Sequence, residues 1–173
     1  VKLILKQDSR PDSIRDIGSI FSGPWSQRFF TLLGEERTLD ELEHQMIRGN
    51  PALMDPRIHF AVNCASVGCP ALRPEAYTGE RLDAQLVDST RRFLSDRRRN
   101  RYDAEAGVLR VSSIFDWYQE DFEDSAGGLG DYLLQYADAL ALPAEARRNL
   151  EAGDLPVRFL DYDWSLNTAS NNP

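Results

Sequence analysis

Cysteine and histidine are scarce in this chain, two of each among 173 residues, and that scarcity bounds its chemistry. Two cysteines cannot build the disulfide framework of a small secreted scaffold. The short interval between Cys64 and Cys69 leaves three states open: a local disulfide, half of a metal site, or free thiols. Positive charge is short as well, with 20 Lys and Arg against 28 Asp and Glu, a net charge of −8 and a pI near 4.8. Sequence-independent nucleic-acid binding needs cations to displace counterions, so this balance argues against it. The run Arg97-Arg98-Arg99-Asn100-Arg101 is the exception, and it reads as a solvated helix end with cations near the C-terminus. No stretch of about 18 apolar residues occurs, so no membrane-spanning helix is expected. No Pro-, Ser- or Gly-rich linker divides the chain, and 42% hydrophobic content supports one sizeable core. The expectation is a single domain, residues 1–173, that opens inside a helix at Val1-Lys2-Leu3-Ile4-Leu5-Lys6, with no visible signal peptide and its upstream helical segment missing.

What the chain does have is concentrated between Ile58 and Pro70, which hold both cysteines and His59. Arg57 to Asn63, apolar with β-branched and aromatic residues behind the breaker Asp55-Pro56, reads as a buried strand. Alternation on a strand puts Ile58, Phe60 and Val62 on an apolar face and His59, Ala61 and Asn63 on the opposite, polar one. Ala65-Ser66-Val67-Gly68 then reads as a tight loop that returns Cys69 to the strand end. Pro70 suits the first position of a helical turn, which makes Cys69 an N-cap where backbone N–H groups and the dipole favour thiolate. Cys69 is therefore the first candidate nucleophile and Cys64 the second.

Around that stretch the pattern predicts interspersed helices and strands. Ser22-Gly23-Pro24-Trp25 reads as a turn with its indole packed inward, and Gln27 to Leu33 as a strand ending in a hairpin-like turn at Gly34-Glu35-Glu36. Thr38-Leu39-Asp40-Glu41 is a capping box, and Gly49 with Pro51 supplies a stop, so a helix is predicted over Thr38 to Arg48. Its core stripe is Leu39, Leu42, Met46 and Ile47. Glu43 falls between Leu39 and Ile47 and is sent inward, where it needs a cation or backbone donors. His44 and Arg48, one turn apart, lie toward a cleft edge. Glu80 to Arg97 reads as an amphipathic helix with Leu82, Leu86, Val87, Thr90, Phe93 and Leu94 inward. A strand at Val108–Val111 precedes a helix capped by Ser112 or Ser113, in which Phe115 and Phe122 are core and Trp117 and Asp121 face a site. Glu123 to Gly130 reads as a Gly-rich loop without a phosphate motif, followed by helices over Asp131–Leu142 and from Pro143 to about Ala152, and a last strand over Pro156–Tyr162. This is an α+β pattern: a small mixed or antiparallel sheet packed against helices.

Several blocks resemble a bacterial family catalogued as domain of unknown function 547. They are Ser13-Ile14-Arg15-Asp16-Ile17, Pro24-Trp25, Thr38 to His44 with Arg48, and Asp55 to Ser66 with Cys69-Pro70. Ser113 to Tyr118 with Asp121-Phe122 and Tyr162 to Asn167 complete the set. The resemblance implies a fold similar to papain- and transglutaminase-like cysteine enzymes, a cysteine hydrolase or transferase activity, a link to glutathione, and a secreted or periplasmic location. Similar proteins carry an upstream helical segment, which on this reading would associate with the chain.

The residues themselves support three readings. A cysteine nucleophile needs a base and a group that fixes the base's tautomer. His59 is the natural base, Glu43 or Asn63 the orienting group, and Asn63 or loop N–H groups an oxyanion donor. Arg48, Arg57 and Arg73 flank the stretch and suit the carboxylates of a small acidic peptide such as glutathione, with His44, Trp117 and Asp121 as further binding residues. Second, the same atoms, Cys64, Cys69, His59 and His44, suit a zinc site, although the cysteine spacing is longer than the commonest one. Third, a non-catalytic binding domain would bury Cys64 and His59 as core. The first reading is carried forward, with no cofactor or metal.

Overall fold

In the computed structural model the described residues are Ile4, residues 9–18 and residues 23–168. Apart from Ile4, the expected opening helix over Val1–Lys6 lies outside them, as does Ser22 of the expected turn. The chain forms two compact units. One is built from Val1–Asp55, Cys64–Cys69 and Asp163–Pro173, the other from Pro56–Asn63 and Pro70–Tyr162.

The first unit is made of short, tightly capped pieces. Ser13 opens a 3₁₀ turn, Ile14–Asp16, by a reciprocal box: its hydroxyl accepts from the Arg15 N–H, and its own N–H donates to Asp16 at 2.8 Å. Ile14 and Ile17 are buried there, with Trp25, Phe29, Ala65 and Trp164 packed on them. Trp25, on a second 3₁₀ turn over Pro24–Ser26, meets Trp164 edge-on at 6.0 Å and packs inward as expected. Strands β1 (Phe30–Leu32) and β2 (Glu35–Arg37) pair antiparallel, Phe30 opposite Arg37. The hairpin is the expected one, but its turn is shorter: only Leu33 and Gly34 make it, with φ of 54° and 84°, and Glu35 and Glu36 have already entered β2. Positive φ at both central residues is the type I′ geometry that matches strand twist.

The capping box at Thr38 forms as read from the sequence, the Thr38 hydroxyl accepting from the Glu41 N–H and the Glu41 carboxylate from the Thr38 N–H, both at 3.0 Å. The helix that follows is not an α-helix over most of its length. Glu41–Arg48 is wound as a π-helix, closed by the Gly49 N–H on the His44 carbonyl at 3.0 Å. Gly49 suits this winding because a Cβ there would stand 2.8 Å from the Gln45 carbonyl oxygen. The wider turn spreads the apolar stripe, so Leu42, Met46 and Ile47 are half-buried and no residue of Glu41–Arg48 is fully buried. A π-helix of this length is rare, and such winding concentrates at functional sites.

The second unit carries the larger core. Strands β3 (Arg101–Asp103) and β4 (Val108–Ser112) form an antiparallel hairpin, and β5 (Val157–Leu160) joins β4 parallel, Val111 opposite Phe159. Helix α1 (Leu82–Ser95) precedes the sheet; α2 (Ile114–Trp117), α3 (Gln119–Ala126), α4 (Leu129–Leu134) and α5 (Ala144–Glu151) make the crossover from β4 to β5. Among the described residues the architecture is mixed α+β, with two small sheets and several helices. Leu109, Val111, Phe115, Phe122, Leu94 and Leu133 are fully buried. Leu82, expected inward on α1, is 43% exposed instead, since it sits at the first, open turn. The expected loop over Glu123–Gly130 is largely helix: α3 runs to Ala126, Gly127 ends it in the left-handed region with φ 90°, and α4 starts at Leu129. The basic run lies just beyond the end of α1 and is not merely solvated. Arg97 donates to the Leu140 carbonyl at 2.8 Å and to Ala139, Arg98 and Arg99 pair with Asp96, and Arg101 belongs to β3. No helix among the described residues is long and apolar enough to cross a membrane.

The segment read as a strand, Arg57–Asn63, is a correction. Pro56–Phe60 is a 3₁₀ helix, continued by the Ala61 and Val62 N–H groups on the Ile58 carbonyl at 2.9 and 3.1 Å. Pro56 fixes a helical φ and needs no N–H at the first position, so the segment starts as a turn. Ile58, His59 and Phe60 are consecutive and all buried, which no alternating strand with one solvated face allows. The segment packs against α1 and α3, and Phe60 lies between Phe93 (centroids 5.0 Å apart), Phe115 (5.6 Å) and Phe122 (5.8 Å).

Candidate functional site: a paired thiol loop and a buried imidazole–carboxylate pair

The two cysteines belong to the first unit, on a loop held by backbone bonds to the 163–167 segment. The Val67 N–H donates to the Ser165 carbonyl and the Gly68 N–H to Asp163, both at 2.9 Å; the Asn167 N–H donates to Ala65 at 2.8 Å, and Ser66 bridges Leu166. Ala65 takes a φ of 63°, and the Cys69 N–H closes the turn on the Ser66 carbonyl at 3.1 Å. This folding brings the sulfurs together. Both are free thiols, their Sγ atoms 2.9 Å apart with Cys64 donating, and the Cys64 backbone N–H donates to the Cys69 Sγ at 2.7 Å. The Ser66 hydroxyl stands 3.1 Å from the Cys64 Sγ. Cys69 is buried and Cys64 half-buried.

The donors on Cys69 are not those read from the sequence. No helix begins at Pro70; with Pro70 and Pro74 in it, the chain from 70 to 78 stays irregular until the 3₁₀ turn at Gly79–Arg81. Cys69 is therefore no N-cap. The Cys64 N–H and S–H supply what a helix terminus would have supplied, two donors on one sulfur.

His59 belongs to the second unit, where its ring is enclosed. Its Nε2 lies 2.7 Å from Asp121 Oδ2, its face stacks on Tyr118 at 3.8 Å and 19°, and Phe122 is 5.5 Å away. The side chain is 1% exposed and that of Asp121 14%. The break between α2 and α3 at Tyr118 makes this possible by sending Asp121 inward and leaving Trp117 45% exposed, 4.7 Å from Tyr162. The carboxylate on the imidazole is thus Asp121, which the sequence had assigned to substrate binding. Asn63 donates instead to the Pro70 carbonyl at 2.7 Å.

The other expected site residues have local partners. Glu43 is half-buried on the π-helix, and the exposed His44 has its Nδ1 3.1 Å from an Arg48 nitrogen. Arg57 pairs with Asp83 at 2.8 Å. Arg73 pairs with Glu75 at 3.0 Å and with Asp88, and also donates to the Ser89 hydroxyl. Hydrogen bonds from Arg73, then Gln85 and Arg81, pull the Glu75 carboxyl down to about 2 against the opposing cost of burial. Glu75 in turn pushes the Arg73 guanidinium up. Sequence reasoning missed Ser66 beside the thiols and Tyr118 against the imidazole. The only trace of the latter was the Tyr118–Asp121 spacing of three, which puts both on one face of a helical turn. Among the described residues no group of three or more His, Cys, Asp or Glu side chains stands together as a metal-holding set.

No curated protein and no solved structure matches this sequence. One family model does, over residues 1–94, more than half of the chain. That stretch contains the Thr38 capping box, His59 and both cysteines, and it ends before Tyr118 and Asp121. On that match the chain belongs to the family described as protein of unknown function, DUF547.

Proposed function

We propose that this chain is a cysteine-dependent hydrolase or acyl transferase acting on a small peptide-like substrate, with a thiol peptide such as glutathione as the leading candidate. The observation that carries the reading is the pair of donors on the Cys69 sulfur, the Cys64 N–H at 2.7 Å and the Cys64 S–H at 2.9 Å. Thiolate, not thiol, is the nucleophile, and donors aimed at sulfur stabilise its negative charge. In the proposed reaction the Cys69 sulfur attacks an acyl carbon, the amine leaves with a proton, and water or a second amine releases the thioester. His59, the base named from the sequence, has its Nε2 held by Asp121 within the second unit. A papain- and transglutaminase-like fold, a bacterial source and a secreted or periplasmic location belong to the same proposal and rest on the resemblance alone.

The burial of Cys69 favours a second reading, a ligand-binding domain with a structural thiol. Alkylation of the reduced chain by iodoacetamide, followed residue by residue with mass spectrometry near neutral pH, separates the two. The enzyme reading expects Cys69 to label faster than a free cysteine does. Slow labelling of Cys69 returns the domain to ligand binding.

A further inference from the structure

The spacing of the two sulfurs has a chemistry of its own, which does not rest on acyl transfer. Two free thiols with Sγ atoms 2.9 Å apart need to close by only about 0.9 Å to reach disulfide length, which is about 2.0 Å. The backbone supports this approach: the Val67, Gly68 and Asn167 hydrogen bonds tie the turn between the two cysteines to the 163–167 segment. The two sulfurs also differ. Cys64 is half-buried and has the Ser66 hydroxyl 3.1 Å away, whereas Cys69 is buried and receives the Cys64 N–H at 2.7 Å. A disulfide, larger than iodoacetamide, reaches the more exposed sulfur first, and the sulfur best supplied with donors is the one best held as a thiolate for the second step.

We propose that Cys64 and Cys69 are a dithiol–disulfide couple that exchanges with small-molecule disulfides, Cys64 being the entry thiol and Cys69 the resolving thiol. Cys64 gives its proton to solvent and its thiolate attacks one sulfur of the disulfide R–S–S–R. That S–S bond breaks, one R–S⁻ leaves, and Cys64 carries a mixed disulfide. The Cys69 thiolate, its proton also passed to solvent, attacks the Cys64 sulfur; the bond to R–S breaks and the second R–S⁻ leaves with the electron pair. The protein loses two electrons and two protons and gains the Cys64–Cys69 bond. The small disulfide takes up both and departs as two R–SH. The oxidised form has no Cys69 thiolate, so the same step switches off whatever nucleophilic chemistry that sulfur performs.

The test uses the full chain, reduced and freed of reductant, treated with 2-hydroxyethyl disulfide, quenched in acid and weighed intact. Wild type is expected to become lighter by two hydrogens with no lasting adduct. Cys69→Ser is expected to accumulate a single adduct, mapped to Cys64, and Cys64→Ser to react at least about tenfold more slowly than Cys69→Ser. A wild-type chain that keeps a mixed disulfide, or that stays at its reduced mass, overturns the proposal without any variant having to fold. So does an adduct that forms as fast on Cys69 in Cys64→Ser. Circular dichroism of both variants checks that they keep the wild-type fold. Iodoacetamide labelling of the reduced chain is read separately, so failure of the couple and failure of the acyl-transfer reading give different results.

Discussion

Replacing Asp121 by alanine removes the carboxylate held 2.7 Å from His59 Nε2, at a ring whose side chain is 1% exposed. The ring itself stays enclosed, with Tyr118 stacked on one face at 3.8 Å and Phe122 at 5.5 Å. A hydrogen bond with a charged partner contributes about 1.5–3 kcal/mol net, and the Asp121 side chain, 14% exposed, is shielded enough for that range to apply. With a urea slope of about 1–3 kcal/mol per molar, a loss near 2 kcal/mol moves the unfolding midpoint by roughly 1 M. The assay is a double-mutant cycle, Asp121→Ala and His59→Ala singly and together, read on the transition of the unit that contains both residues. The expected coupling is about 1.5–3 kcal/mol at unchanged slope. A coupling below about 0.5 kcal/mol would refute the view that these two side chains form one buried unit, and with it the assignment of Asp121 as the group that orients the imidazole.

Three further outcomes follow from local geometry. Thr38→Ala removes the hydroxyl that caps the Glu41 N–H and should cost about 1 kcal/mol in chemical denaturation, whereas Thr38→Ser should cost little. Gly49→Ala places a Cβ 2.8 Å from the Gln45 carbonyl oxygen, so it should destabilise by about 1–3 kcal/mol or rewind the helix end, which amide chemical shifts over residues 41–50 would report; a silent substitution contradicts the π-helical end. Glu75 titrates at about 2 in the folded chain against an ordinary value of 4.5. Its lowered pKa adds stability that is complete above the ordinary value and is lost as pH falls through about 2, so the stability difference between wild type and Glu75→Gln should shrink from about pH 5 downward and vanish below about pH 2.

What could be read from the sequence was what neighbouring residues decide among themselves. Thr38 and Glu41 cap each other across one turn, Pro143 opens a helix, and Gly34 lets the chain double back. The misread segment is instructive in the same terms. Ile58-His59-Phe60 is too short an apolar run to distinguish a strand from a helical turn by periodicity, and Pro56, which favours the turn, lost to the β-branched composition. The π-winding was invisible because the same capping box and apolar spacing serve an α-helix equally well, and only the five-residue closure, seen in the Gly49 N–H on the His44 carbonyl, distinguishes them.

The sequence by itself determined the chemistry available: two thiols on one short loop, a histidine nearby in the chain, an acidic balance and an α+β alternation. Those follow from composition and from contacts within a few residues, where chain connectivity already limits the geometry. Tertiary structure alone decided which groups the reactive ones meet. Asp121 reaches His59 across 62 residues of sequence because α3 packs on the 56–60 turn, and the sulfurs of Cys64 and Cys69 stand 2.9 Å apart because the segment 163–167 fastens their loop from the far end of the chain. Such pairings depend on the packing of elements distant in sequence, and no local pattern encodes a partner that chain connectivity leaves free to be anywhere.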